Sequence, residues 1–170
     1  MNSKMFNINT MLRDGVERDV DRKGESIMEM SEKLMELHSK GYNCGQIICA
    51  VLGEELGWDQ STPEALADMC ESCGQICGTL RGGDFCINKF IREKTAAEAG
   101  IPVEKVYDDL PADAQMKMMM DAKNMSGCLY DEFEKINGGL LCRDLRGDMM
   151  LTCAKYVTDV IGILEKLFEV

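Results

Sequence analysis

The chain has no long hydrophobic run and no cluster of basic residues. Its longest uninterrupted apolar stretch is Ile47–Leu52, whereas a membrane-spanning helix needs about 20 residues. Lys and Arg number 19 against 30 Asp and Glu, for a formal net charge of -11, and apart from the adjacent Arg22 and Lys23 they are scattered singly among the acids. Nucleic-acid binding normally needs a clustered basic face. The sequence therefore predicts neither a membrane span nor a nucleic-acid partner.

Several enzyme signatures are also missing. Gly82-Gly83 is not followed by Lys-Ser or Lys-Thr, so there is no P-loop. The single histidine, His38, has no Ser-His-Asp arrangement around it that would support hydrolysis. The first twenty residues lack the apolar core of a secretory signal, and we expect a cytoplasmic protein.

Alternating apolar and polar residues, the mark of a strand, are absent, and apolar residues instead recur every three or four positions. With 170 residues, the chain is predicted to be an all-α, single-domain bundle of about six to seven helices. Residues 1–23 are polar and are expected to form a loose arm, and residues 24–170 the helical domain.

Gly and Pro positions suggest where these helices begin and end. The pair Gly82-Gly83 is predicted to break the chain between two helices, and Gly100-Ile101-Pro102 to form a turn. Ser126-Gly127 either separates two helices or interrupts one. The predicted helices are 27–37, 47–56, 63–80, 84–99, 112–124, 129–136 and 157–168, with a short helical turn at 141–145.

Nine cysteines are the unusual feature of the composition. Cytosolic thiols stay reduced, and an odd number does not suit a disulfide framework. Metal binding, thiol redox chemistry and ordinary core packing therefore remain as explanations, since free cysteine often behaves as a small buried hydrophobe.

One cysteine follows a clear helix N-terminal signal. In Asn43-Cys44-Gly45-Gln46, Asn43 can cap the helix and Gln46 can be its reciprocal partner, which puts Cys44 at the first helical position. A helix N-terminus stabilises negative charge, and the thiolate is the reactive and metal-binding form of cysteine. Cys44 is thus predicted to ionise readily.

Other cysteines can be interpreted in the same way. Thr152-Cys153 resembles a helix start, Cys142 follows the Gly138-Gly139 break, and Ser72-Cys73 would match if the third helix is interrupted there. Several such helix ends pointing inward would form a pocket for a thiolate cluster. Core packing is the alternative, because Cys44 and Cys153 also fall on apolar helix stripes.

Cys70, Cys73 and Cys77 have the spacing C-x2-C-x3-C. On a continuous helix they would fall within about 60° of one another, so they could share a metal or exchange disulfides. The spacing reverses the order found in radical S-adenosylmethionine enzymes and lacks the full ferredoxin run. It suggests redox or metal chemistry without fixing which.

Four segments together resemble the C-GCAxxG-C-C family of redox-active proteins. They are IMEMSEKLMELHSKGYNCGQIICAVLGEELGWD, SCGQICG, YDEFEKINGGLLCRDLRG and CAKYVTDVIGILEKL, which span most of 27–167 in the family's order. The family's four cysteines carry over to Cys44, Cys73, Cys142 and Cys153. Its Cys-Gly-Ala-x-x-Gly element matches Cys73, Gly74 and Gly78, with Gln75 at the Ala position. The usual glycine-rich lead-in is replaced by ALADMCES, which makes Cys70 an additional thiol.

The resemblance implies a small helical protein with a redox role. Combined with the helix-start cysteines, it predicts an iron–sulfur cluster held by Cys44, Cys73, Cys142 and Cys153, and a function in electron transfer. The alternatives are thiol–disulfide exchange through Cys70, Cys73 and Cys77, or a zinc-stabilised interaction module, since zinc also takes four thiolates. An electron carrier or redox partner is favoured over a stand-alone enzyme, and a second copy of the chain is a candidate partner.

Overall fold

Helices make up the secondary structure of residues 32–59, 76–145 and 149–169, which are the residues that the computed structural model describes. There are no strands within these ranges, and the protein is a single all-α domain, as predicted. The predicted arm, 1–23, lies outside them. The helices are α1 (32–39), α2 (Cys44–Glu55), α3 (Gly78–Ala99), α4 (Val106–Asp109), α5 (Ala112–Asn137), α6 (Cys142–Leu145) and α7 (Met149–Phe168), with a 3-10 turn at Val103–Lys105.

The long helix α3 is the centre of the bundle and packs against α2, α5 and α7. Apolar side chains from all four helices are buried between them, among them Ile48, Leu80, Phe133 and Leu164. Burying side chains of this size contributes about 1.5–3 kcal/mol each. None of the helices in the described ranges is long and apolar enough to cross a membrane.

The predicted break at Gly82-Gly83 is wrong, because both glycines lie inside α3, which begins at Gly78. A Cβ on Gly82 would come within 2.6 Å of the Gly45 Cα, and one on Gly83 within 2.6 Å of the Leu129 Cδ2. The two glycines therefore allow neighbouring helices to approach α3 closely and do not end it. The predicted helix 63–80 correspondingly cannot continue to Leu80, since Ile76 and Cys77 are not helical.

The segments 112–124 and 129–136 are one uninterrupted helix, α5, which passes straight through Ser126-Gly127. A glycine inside a helix costs only about 1 kcal/mol, and the buried Leu129 and Phe133 beyond it outweigh that cost. The predicted turn at Gly100 is confirmed: with φ +67 it ends α3 in the left-handed conformation.

Contacts along α3 give the directions of its neighbours. Gly82 contacts Gly45, and Cys86, one turn later in α3, contacts Cys49, one turn later in α2. The two helices therefore run parallel. Gly83 lies beside Val160, and Phe90 stacks on Phe168 with ring centroids 4.1 Å apart, so α7 is also parallel to α3. The beginnings of α2, α3 and α7 consequently lie towards the same end of the bundle.

Helix α5 runs the opposite way. Its Tyr130 donates a hydrogen bond to Asp84 of α3, while Leu140, beyond its end, accepts one from the backbone N–H of Cys77 at 2.8 Å. The chain thus returns along α5 to the end at which α2 and α3 begin. Cys142 follows immediately.

Candidate redox site at the cysteine-bearing end of the bundle

Cys44 is the first residue of α2, as the sequence predicts. The Asn43 side-chain oxygen accepts a hydrogen bond from the backbone N–H of Gln46 at 2.9 Å, and the Gln46 side chain accepts one from the backbone N–H of Asn43 at 2.9 Å. These reciprocal bonds fix the backbone on both sides of Cys44. Its thiol is partly buried and sits in the first turn, where the helix dipole stabilises negative charge.

The sequence Cys-Gly-Gln-Ile occurs at 44–47 and again at 73–76, and Ile76, the described residue of the second copy, differs in conformation from its counterpart in the first. Ile76 forms an isolated antiparallel bridge with Leu141, whereas its counterpart Ile47 is helical. Cys77 has φ -52 and ψ 134 and precedes the first residue of α3. The prediction that Cys77 shares a helix face with Cys70 and Cys73 is therefore wrong. Cys70 and Cys73 themselves lie outside the described residues.

Cys77 is buried at the start of the 22-residue helix α3. Its Sγ lies 3.1 Å from the Oγ1 of Thr79, which is itself fully buried. Its backbone N–H donates to the carbonyl of Leu140. Together with the bridge between Ile76 and Leu141, this contact holds the start of α3 against the segment that leads into Cys142.

Cys142 is the first residue of the short helix α6, which agrees with the predicted helical turn. The prediction that Cys153 begins a helix is wrong, because α7 begins at Met149 and Cys153 lies one turn inside it. Tyr156, one turn beyond Cys153 on the same face, donates a hydrogen bond to the carbonyl of Leu145 at 2.8 Å. That bond ties the Cys153 region of α7 to the end of α6.

Cys44, Cys77, Cys142 and Cys153 thus share one end of the bundle, which we call the cysteine end. Gly45 and Gly78, next to Cys44 and Cys77, are in contact: a Cβ on Gly45 would lie 3.2 Å from the Gly78 carbonyl oxygen. Val160 on α7 is level with Gly83 on the parallel helix α3. Cys153 precedes Val160 by about two turns, or about 10 Å, which puts Cys153 near the level at which α3 begins.

Chemically, the predicted ligand set suits an iron–sulfur cluster or zinc, both of which bind thiolates. Within the described ranges, however, no three His, Cys, Asp or Glu side chains are grouped closely enough to hold a metal ion. Cys44, Cys142 and Cys153 alone therefore do not make a metal site. The fourth predicted ligand, Cys73, lies outside the described residues.

A second pair of cysteines was not singled out by the sequence patterns. Cys49 on α2 and Cys86 on α3 are both fully buried, and their sulfur atoms are 3.2 Å apart. Cys49 follows Gly45 by one turn, and Cys86 follows Gly82 by one turn. That regularity is present in the sequence, but it indicates a contact only when Gly45 is known to face Gly82.

Two thiols away from the cysteine end, those of Cys86 and Cys128, are disfavoured as thiolates. Burial, followed by the hydrogen bond with Cys49, raises the pKa of the Cys86 thiol well above its ordinary value. Partial burial and the negative charges of Asp131 and Glu132 raise the pKa of Cys128 on α5. Both side chains therefore remain protonated at neutral pH, and Cys128 provides an unreactive comparison for the cysteines of the cysteine end.

The protein is therefore an all-α bundle in which cysteines from several helices lie at one end. A family model described as "Putative redox-active protein (C_GCAxxG_C_C)" matches residues 42–167, and the chain belongs to this family. The match extends from the residue before the Asn43 cap nearly to the end of α7. No curated protein and no solved structure matches the chain.

Proposed function

We propose that this redox-active protein is an electron-transfer protein in which Cys44, Cys73, Cys142 and Cys153 hold an iron–sulfur cluster. The proposal is supported by the location of Cys44, Cys142 and Cys153 at the same end of the bundle, although they come from three different helices. A cluster, when bound, accepts and donates single electrons and needs about four thiolate ligands.

The chain's own contribution is to orient the thiols. The capping bonds between Asn43 and Gln46 hold Cys44 at the dipole-stabilised start of α2. The bridge between Ile76 and Leu141 holds Leu141, the residue before Cys142, against the start of α3. The bond from Tyr156 to Leu145 restrains the turn of α7 that carries Cys153. These contacts thereby restrain the backbone next to Cys44, Cys142 and Cys153, three of the four proposed ligands.

Ligand replacement tests the proposal. Each of the four cysteines is changed to Ala in turn, the protein is purified without oxygen, and iron, acid-labile sulfide and visible absorption are measured. Cys128→Ala is the matched control, because Cys128 is a partly buried cysteine outside the predicted set. We expect all four variants to lose most of the iron and Cys128→Ala to retain it. Equal iron in all five variants would contradict the assignment.

The second candidate function is thiol–disulfide exchange through Cys70, Cys73 and Cys77. It is favoured by the position of Cys77, which lies beside the segment leading into Cys142 and four residues from Cys73. Exchange predicts that mild oxidation of metal-free protein consumes thiols in this segment, as mass mapping after alkylation would show. Stoichiometric zinc without iron would instead support a zinc-stabilised module.

We further propose that the protein works in the cytoplasm. Among the described cysteines, Cys49, Cys77, Cys86 and Cys128 form no disulfide, although Cys49 and Cys86 are in contact. Persistent thiols are characteristic of a reducing compartment. Fractionation of the native host followed by immunodetection tests this proposal, and recovery outside the cytoplasm would contradict it.

A further inference from the structure

The buried pair Cys49 and Cys86 has the geometry of a dithiol that could be oxidised. Their sulfur atoms are 3.2 Å apart, and both side chains are 0% exposed. A disulfide bond is about 2.05 Å long, so closing it requires an inward movement of little more than 1 Å. Neither cysteine belongs to the ligand set of the proposed cluster, and this inference does not depend on that cluster.

Rigid helices, and not loops, bring the two sulfurs together. Gly45 and Gly82 lie 37 residues apart in sequence, as Cys49 and Cys86 do, and the two glycine backbones are in direct contact. Moving one turn along parallel α2 and α3 therefore leads from the glycine contact to the cysteine contact. Disulfides need Cα atoms within about 4.4–6.8 Å, and glycines allow helices to approach this closely.

Core packing is the competing explanation, because buried cysteine commonly serves as a small apolar side chain. Two features of the pair are not explained by apolar packing alone. The sulfur separation is within hydrogen-bond range, and the Cys49 Sγ is also 3.9 Å from the carbonyl oxygen of Gly82, so each thiol proton has a partner. The contact also joins the two helices whose starts carry Cys44 and Cys77.

We propose that Cys49 and Cys86 form a second redox site, which closes to a disulfide between α2 and α3 on reaction with a small-molecule disulfide. In the first step, one cysteine thiolate attacks the reagent, forms a mixed disulfide and releases one reagent thiol. In the second, the other cysteine attacks the mixed disulfide and releases the second. The protein loses two protons and two electrons, which leave in the two reagent thiols.

Because both side chains are fully buried, the reagent reaches them only through transient openings of α2 from α3. Oxidation of the pair is consequently slower than that of partly buried cysteines such as Cys44. Once formed, the bond closes a loop of 38 residues, counting both cysteines. The chain-entropy estimate for such a loop corresponds to a rise in Tm on the order of 10 °C.

Oxidised glutathione is the probe, added to the full-length, metal-free protein under native conditions. Remaining thiols are then alkylated at low pH, the protein is digested, and cross-linked peptides are identified by mass spectrometry. We expect one peptide pair joined through Cys49 and Cys86. In Cys49→Ala, Cys86 should stay alkylatable. Cys128→Ala should still form the link, and circular dichroism confirms that each variant is folded.

Two results would overturn the proposal. In the first, Cys49 and Cys86 are both recovered alkylated after prolonged exposure to the probe, while Cys44 has exchanged. In the second, either residue is found mainly in links to other cysteines. Because cluster content is measured on anaerobically purified protein, failure of the cluster proposal leaves the result of this experiment unaffected.

Discussion

Gly82 of α3 and Gly45 of α2 are in backbone contact: a Cβ on Gly82 would lie 2.6 Å from the Gly45 Cα and 2.7 Å from its carbonyl oxygen. No side chain can occupy that space without separating the helices. The contact sets the distance between Cys44 and the start of α3, and one turn further on it sets the distance between Cys49 and Cys86.

Gly82→Ala is therefore expected to lower the free energy of unfolding by about 1–3 kcal/mol, because overpacking against backbone cannot be relieved by a rotamer change. Urea denaturation monitored by circular dichroism measures the effect. Gly127→Ala is the matched control, since Gly127 is inside α5, is exposed, and has no atom of another described segment within 4 Å of its Cβ position. The Gly127→Ala substitution should raise the free energy of unfolding by about 0.5–1 kcal/mol. Equal effects at the two sites would contradict the close approach.

Asn43→Ala is expected to lower the free energy of unfolding by about 1 kcal/mol, because it removes the oxygen that accepts from the Gln46 backbone. Asn43→Ser keeps a capping oxygen and should recover most of the loss. Chemical denaturation of the three proteins measures the difference. If the Ala and Ser variants are equally stable, the capping box does not stabilise the start of α2.

Tyr130→Phe tests the contact between α5 and α3. Burial, together with the hydrogen bond to Asp84, raises the pKa of Tyr130 above its ordinary value near 10. The fold thus favours the protonated phenol. This contribution to stability is fully present below about pH 10 and is lost as pH rises through the higher folded-state pKa.

At neutral pH, removal of the hydroxyl should therefore cost about 1.5–3 kcal/mol, typical of a hydrogen bond to a charged group. Above about pH 10 the variant should lose stability less steeply than the parent. Tyr107→Phe is the control, because Tyr107 is exposed and its hydrogen bond with Gln115 uses the backbone carbonyl and not the hydroxyl. Parallel stability–pH curves for the parent and Tyr130→Phe would refute the assigned hydrogen bond.

The sequence is sufficient to predict those features that are determined locally. Helical periodicity predicts the fold class, and the Asn43 cap, the Gly100 turn and the helical turn at Cys142 depend on neighbouring residues alone. Each involves backbone groups only a few residues apart.

What the sequence does not predict is determined by contacts between distant segments. Gly82-Gly83 has the local character of a break, yet it lies within α3 because Gly45 and Leu129 pack against it. The contact between Cys49 and Cys86 likewise requires the register of α2 on α3. Local propensities of about 1 kcal/mol per residue cannot outweigh such packing.

Metal analysis of protein purified from its own host without oxygen tests whether a cluster is bound at the cysteine end. We expect about two to four irons per chain, an equal amount of acid-labile sulfide, and visible absorption that dithionite bleaches and a mild oxidant restores. Colourless, iron-free protein obtained under these conditions would contradict it.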